Sequence, residues 1–114
     1  MAISNTTIGS TNTVIYTASG ASAITTIIVC NTATFNPATP LTGQTNLYLY
    51  AVPSADVSGT ATVAKHTIVN GLPIPAGETV SFEQERMVLS SGDIIVAKSD
   101  SPANLVVTVS TLPV

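Results

Sequence analysis

The residue types with the most potential for chemistry lie together in the segment SFEQER, residues 81–86. It holds Glu83, Glu85 and Arg86, and the whole chain of 114 residues has only three basic and six acidic side chains. Two carboxyls about 5–10 Å apart in a cleft could act as acid and base on a glycosidic bond. On a regular strand, Glu83 and Glu85 project to the same side and could meet that distance.

Nothing in the sequence supplies the cleft for such a pair. There is no Trp, few aromatic residues, and no other acidic residue or His that is expected to converge on the segment. We therefore interpret it as a charged hairpin tip or as part of an interface, where charge keeps the tip soluble and blocks edge-to-edge pairing. The chain is predicted not to be an enzyme.

The remaining reactive side chains are one Cys and one His. Cys30, in ITTIIVCN, has no partner for an internal disulfide and is predicted to be a small buried hydrophobe. His66, in TVAKHTIV, is predicted to be a strand residue that faces solvent or a neighbouring subunit. One Cys and one His do not make a metal site, so neither a metal nor a cofactor is predicted.

Net charge argues against two classes of partner. The formal net charge is −3, and the only cations are Lys65, Arg86 and Lys98. Nucleic-acid binding and a polybasic membrane contact both need clustered Lys and Arg, so neither is expected. The longest apolar run, around residues 24–30, is far too short to span a bilayer, and the first ten residues lack a secretory signal. We expect synthesis in a cytoplasm.

Composition indicates a β-sheet protein. Thr and Ser make up 30 of the 114 residues, and 45% of residues are hydrophobic. Charged residues are only 8%, against roughly a quarter in ordinary soluble domains. Because Thr is β-branched and fits a half-buried pleated surface, hydroxyls replace charge on a predicted sheet surface.

Gly and Pro divide the chain into segments of strand length. The predicted strands are TNTVIYTA, SAITTIIVCN, TNLYLYAV, TATVAKHTIVN, TVSF, MVL, DIIVAKS and NLVVTVSTL, with LPIP as an edge or the start of a strand. TVSF is predicted to pair with MVL across the EQE turn. Asn70-Gly71 is interpreted as a turn, and Gly92-Asp93 as a hairpin corner.

These segments predict one all-β domain over residues 1–114: a small antiparallel β-sandwich, Ig-like or jelly-roll-like, of about seven to eight short strands. Residues 1–10 are expected to form an N-terminal arm and residues 31–44 a long loop. In TNLYLYAV, Leu47 and Leu49 lie on one face and Tyr48 and Tyr50 on the other, so we expect both faces to be covered, one by the core.

Tyrosines often place an apolar ring in an interface with the hydroxyl at its margin. The candidate interface residues are therefore Tyr48, Tyr50, Glu83, Glu85 and Arg86.

The order of motifs in the second part of the chain resembles small virion structural proteins of tailed bacteriophages. The resemblance rests on NLYLYAV, LPIPAGETVSF, a short charged turn, and MVLSSGDIIVAKSDSPANLVVTVSTL, and covers residues 45–112. An IPAG strand start, a VL-x-x-GD corner and an alternating final strand recur in such proteins. The resemblance implies a location in the virion, assembly in the host cytoplasm, and the major capsid protein or other virion proteins as partners.

Within that class, the sequence leaves several roles open. The leading hypothesis is a capsid decoration (cement) protein that binds and stabilises the head shell as a homo-oligomer, with a trimer expected from shell geometry and from the resemblance. A tail, neck or fibre-adaptor subunit is the first alternative. A host-surface carbohydrate-binding module is the more remote one.

Overall fold

The computed structural model describes residues 2–56, 64–82, 87–100 and 104–114. In these ranges the chain forms two short 3-10 helices, Ser54–Asp56 and Ala64–His66, and nine strands. The strands are β1 Ala2–Ile8, β2 Thr13–Thr17, β3 Ser22–Asn31, β4 Thr45–Val52, β5 Thr67–Ile74, β6 Thr79–Phe82, β7 Met87–Leu89, β8 Ile94–Ser99 and β9 Leu105–Pro113.

Two antiparallel sheets pack face to face, which confirms the predicted all-β sandwich. The five-stranded sheet has the order β1-β9-β3-β6, with β7 also paired to β3. The four-stranded sheet has the order β2-β8-β4-β5. All the strand pairs are antiparallel.

The pairing is nested along the chain. β1 pairs with β9, β2 with β8, β3 with β6 and β7, and β4 with β5. Successive nested pairs fall alternately in the two sheets. A long antiparallel hairpin wrapped in this way has jelly-roll topology. Of the two sandwich types predicted from the sequence, Ig-like and jelly-roll-like, the structure has the second.

Alternate residues of each strand fill the space between the sheets. The most deeply buried large side chains of this core are Ile8, Ile24, Val29, Leu47, Leu49, Ile74, Ile95, Leu105, Val107 and Val109. Burying each one contributes about 1.5–3 kcal/mol relative to leaving it exposed. The core therefore draws on strands from both ends of the chain.

The outer face of the four-stranded sheet carries a second apolar cluster. Tyr50 and Val52 of β4 lie beside Val96 and Ile94 of β8 and are buried with them. The 3-10 helix Ala64–His66, in the connection from β4 to β5, contacts β4. The expectation that both faces of TNLYLYAV are covered is confirmed.

Two local predictions are wrong. TVSF and MVL, β6 and β7, do not form a hairpin, because both pair with β3: Phe82 lies opposite Ile27 and Met87 opposite Ile24. Asn70-Gly71 is not a turn either. It lies inside β5, where Gly71 is the extra residue of a bulge and has a φ of 75°, a conformation that glycine adopts without strain.

The two motifs that carry most of the sequence resemblance are corners between the sheets. In IPAG, the Glu78 N–H donates to the Pro75 carbonyl at 3.1 Å, and the turn leads from β5 to β6. In SSGD, the Asp93 N–H donates to the Ser90 carbonyl at 3.1 Å. That turn leads from β7 in one sheet to β8 in the other, so the hairpin predicted at Gly92-Asp93 is wrong.

The two irregular segments expected from the sequence have different structures. Over Ala2–Ile8, the region expected to be an arm is an edge strand paired with β9, and Ile8 belongs to the core. Residues 32–44 contain turns and no strand or helix. Their start is fixed by Asn31, which is 1% exposed and ends β3.

Candidate functional site

The structure describes two of the five residues proposed for an interface. Glu83, Glu85 and Arg86 lie outside the described residues. Tyr48 and Tyr50 both point to the outer face of the four-stranded sheet, where they lie opposite Lys98 and Val96 of β8.

Tyr48 is the centre of a polar cluster at one end of this face. Its hydroxyl donates to Asp100 Oδ2 at 3.2 Å, and Asn46 Nδ2 donates to the same oxygen at 2.9 Å. Lys98 Nζ lies 5.0 Å from the centre of the ring, within the range of a cation–π contact. The hydrogen bond to Asp100 raises the pKa of Tyr48 above its usual value. The hydroxyl is therefore a fixed, neutral donor.

Tyr50 has a different environment. It is 7% exposed and packs in the second apolar cluster with Val52, Ile94 and Val96. Its ring contributes mainly to the packing of this subunit, and little of it remains available to a partner. Of the two tyrosines, Tyr48 offers the larger surface.

His66 does not fit the sequence prediction. It ends the second 3-10 helix, is 6% exposed, and its Nε2 lies 3.0 Å from Asp56 Oδ2. Lys65 Nζ lies 3.5 Å from the same oxygen. The hydrogen bond to His66, with the charge of Lys65, lowers the pKa of Asp56. Because Asp56 ends the first 3-10 helix, these contacts join the two 3-10 helices.

The described residues bring neither Cys30 and His66 nor a set of metal ligands together. Cys30 is half-buried rather than fully buried and belongs to the five-stranded sheet, whereas His66 belongs to a connection of the four-stranded sheet. Within the described ranges, no three His, Cys, Asp or Glu side chains come close enough to hold a metal ion. No helix in the same ranges is long and apolar enough to cross a membrane.

An open pocket of about 280 Å³ lies at one end of the sandwich. It is lined by Tyr16, Ser19, Gly20, Ala21, Ser22, Thr111 and Pro113. The Tyr16 hydroxyl is already hydrogen-bonded to Ser22 Oγ at 2.9 Å. The polar side chains that line the pocket all carry hydroxyls.

The outer face of the five-stranded sheet is a further candidate surface. The strand register places on this face Ile3, Asn5, Thr7, Ala23, Thr26, Ile28, Cys30, Thr79, Ser81, Val88, Val106, Thr108, Ser110 and Leu112. No described residue of this face carries a charge. Its apolar members remain accessible: Ile3 is 68% exposed, Val88 69%, Leu112 41% and Ile28 38%.

Hydroxyls on this face bond sideways to neighbouring strands. Thr108 Oγ1 donates to Asn5 Oδ1 at 2.8 Å. At the bulge of β3 beside this face, Thr25 Oγ1 is 3.1 Å from both the carbonyl and the hydroxyl of Ser110. These bonds use some of the hydrogen-bond donors and acceptors of the face and restrict the rotation of the side chains that make them.

Sequence reasoning did not single out this face. The alternation of Val106, Thr108 and Ser110 against the core residues of β9 was visible. The sequence does not indicate that β9 lies between β1 and β3, and this position brings neutral residues of distant segments onto one surface.

The fold defines a class of protein, a small jelly-roll β-sandwich. The chain matches no protein-family model, no curated protein and no solved structure. Because one fold serves many functions, a function has to be argued from the surfaces described above.

Proposed function

We propose that this chain is a virion structural protein of a tailed bacteriophage, and that it acts as a capsid decoration (cement) protein on the head shell. The observation that carries the proposal is the uncharged outer face of the five-stranded sheet, with exposed Ile3, Ile28, Val88 and Leu112 among Thr and Ser residues. This face is proposed to lie against the major capsid protein.

The physical argument concerns what a permanent contact requires. An isolated charge buried against another subunit costs several kcal/mol unless it is paired. A face of hydroxyl and aliphatic side chains avoids that cost, and its exposed aliphatic side chains would be removed from water in the contact. The described charged residues lie elsewhere: at the Asp56 and Lys65 connection, at the Glu78 and Asp93 corners, and near Tyr48.

Two further observations support the proposal. Jelly rolls occur in viral capsid proteins and also in lectins, so the fold is compatible with the proposal but does not distinguish between these roles. The motifs that resemble phage virion proteins form the corners at Pro75 and Gly92, which determine how the two sheets connect. The resemblance therefore concerns residues that set the fold.

The test uses particles of the phage that encodes this chain, assembled without it. Purified wild-type protein is expected to bind these particles, and cryo-electron microscopy is expected to show its density on the shell surface. Ile28→Lys, in the centre of the proposed face, should weaken binding at least about tenfold, because it buries an unpaired charge. Val14→Lys is the matched control, since Val14 is 50% exposed on the four-stranded sheet.

Three outcomes contradict the proposal. Density at the neck or tail would support the alternative of an adaptor subunit. Binding to glycans without binding to particles would support the carbohydrate-binding module. Equal effects of the two Lys substitutions would mean that the five-stranded sheet does not form the contact.

A further inference from the structure

In the described part of the chain the two sheets have four edges, and three of these edges are irregular. β2 is interrupted by a bulge between Val14 and Tyr16. β5 has two bulges and contains Pro73, which has no N–H to donate. The remaining edge of the five-stranded sheet is divided between the short strands β6 and β7. Features of this kind hinder pairing with another strand.

β1 is the exception. All of its seven residues pair with β9 in one continuous register, from Ala2 opposite Thr111 to Ile8 opposite Leu105. Its sequence, AISNTTI, has no charge and no Pro. In the described part of the chain, no strand pairs with its other side. Since alternate residues of an antiparallel strand direct their N–H and C=O groups away from the existing partner, β1 presents a regular unpaired edge.

We infer that this edge pairs with β1 of a second copy, antiparallel and about a two-fold axis. A full seven-residue overlap places Asn5 opposite Asn5, Ser4 opposite Thr6, and Ile3 opposite Thr7. None of these pairs brings like charges together, and Ser–Thr pairs can form hydrogen bonds across strands. A heterologous contact would instead have to join β1 to one of the irregular edges.

Asn5 suits the position on the axis. Its Oδ1 accepts a hydrogen bond from Thr108 Oγ1 at 2.8 Å, while the amide nitrogen keeps two donors and the oxygen a second lone pair. Two such amides facing each other can bond reciprocally. The pair would join the two five-stranded sheets into one continuous sheet and double the uncharged outer face. This inference concerns self-association and stands whether or not the protein binds a phage shell.

Light scattering of the full chain over a range of concentrations tests the inference. The expected result is a dimer. Asn5→Lys should raise the dissociation constant by about tenfold or more, because it places two like charges opposite each other. Asn5→Asp should do the same, and mixing the two variants should restore a dimer that contains one copy of each.

The matched control is Thr79→Lys, which adds the same charge at an exposed position on the opposite edge of the same sheet. It should leave the dimer intact. Amide exchange gives a second readout: protection of residues 2–8 should increase with protein concentration, while protection of residues 67–74 should not.

A wild-type monomer at all concentrations would overturn the inference, as would a trimer, which would instead match the expectation from the sequence resemblance. A dimer that Thr79→Lys disrupts and Asn5→Lys does not would place the contact at the other edge. Failure of the variants to fold would be visible by circular dichroism, and the exchange measurement on the wild-type chain would then decide.

Discussion

Asn31 gives a quantitative prediction about how the loop of residues 32–44 is attached to the sandwich. Its side chain makes three hydrogen bonds: Nδ2 donates to the Gly43 carbonyl at 2.8 Å and to the Ile74 carbonyl at 2.9 Å, and Oδ1 accepts from the Ala33 N–H at 3.0 Å. Asn31 is 1% exposed. One side chain therefore joins both ends of the loop to the end of β5.

Asn31→Ala removes all three bonds: the one to the buried Ile74 carbonyl and the two with the half-buried Gly43 carbonyl and Ala33 N–H. At about 1 kcal/mol for each bond, the free energy of unfolding should fall by about 3 kcal/mol. For a domain of this size, the melting temperature should fall by roughly 12 °C. Urea denaturation and calorimetry measure both quantities, and amide exchange should accelerate within residues 32–44.

The control is the neighbouring Thr32→Ala, which removes one exposed bond, from Oγ1 to the Asn104 carbonyl at 3.1 Å, and should cost about 0.5 kcal/mol. Asn31→Asp sharpens the test, because a carboxylate would face the Gly43 and Ile74 carbonyls. That variant should be least stable at neutral pH and recover as the new carboxyl is protonated. A loss below about 1 kcal/mol in Asn31→Ala would refute the reasoning.

Three further predictions rest on single residues. Gly92→Ala should destabilise the fold by about 1–3 kcal/mol, measured by urea denaturation, because Gly92 has a φ of 92° and an added Cβ would lie 2.9 Å from Ser54 Cβ. Ser99→Ala should raise the melting temperature, with a gain of about 1 kcal/mol, because the buried Ser99 hydroxyl has no hydrogen-bond partner among the residues that the structure describes. The carboxyl of Asp56 has a lowered pKa, so its stabilising contribution is present above the unfolded-state pKa and is lost as pH falls through the folded-state pKa. The stability difference between wild type and Asp56→Asn should therefore shrink on acidification below about pH 4, and a constant difference would contradict this.

Sequence reasoning succeeded where the pattern is local. SAITTIIVCN and TNLYLYAV coincide with β3 and β4, because apolar periodicity and flanking turn residues decide where a strand begins and ends. The sandwich class followed from composition and the number of strands. Which strands are neighbours did not follow, because β1 and β9 are paired although they lie at opposite ends of the chain.

The wrong predictions share one origin: contacts with distant parts of the chain override the local sequence signal. The Asn70-Gly71 dipeptide is a strong hairpin signal, but here the positive φ of Gly71 serves a bulge on which the Tyr48 ring lies. TVSF and MVL are separated by a length typical of a hairpin, yet β3 is long enough to pair with both. The residues around His66 favour a strand, whereas His66 ends a 3-10 helix and contacts Asp56.

The position of β9 also constrains how the protein can fold. β1 and β3 both pair with β9, and β9 is the last of the nine described strands in chain order. The five-stranded sheet therefore cannot form until β9 has been synthesised, and until then β1 lacks its partner. Such long-range pairing makes all-β domains fold in milliseconds to seconds rather than microseconds. A neutral strand that is unpaired for that time can pair with other chains instead of with β9.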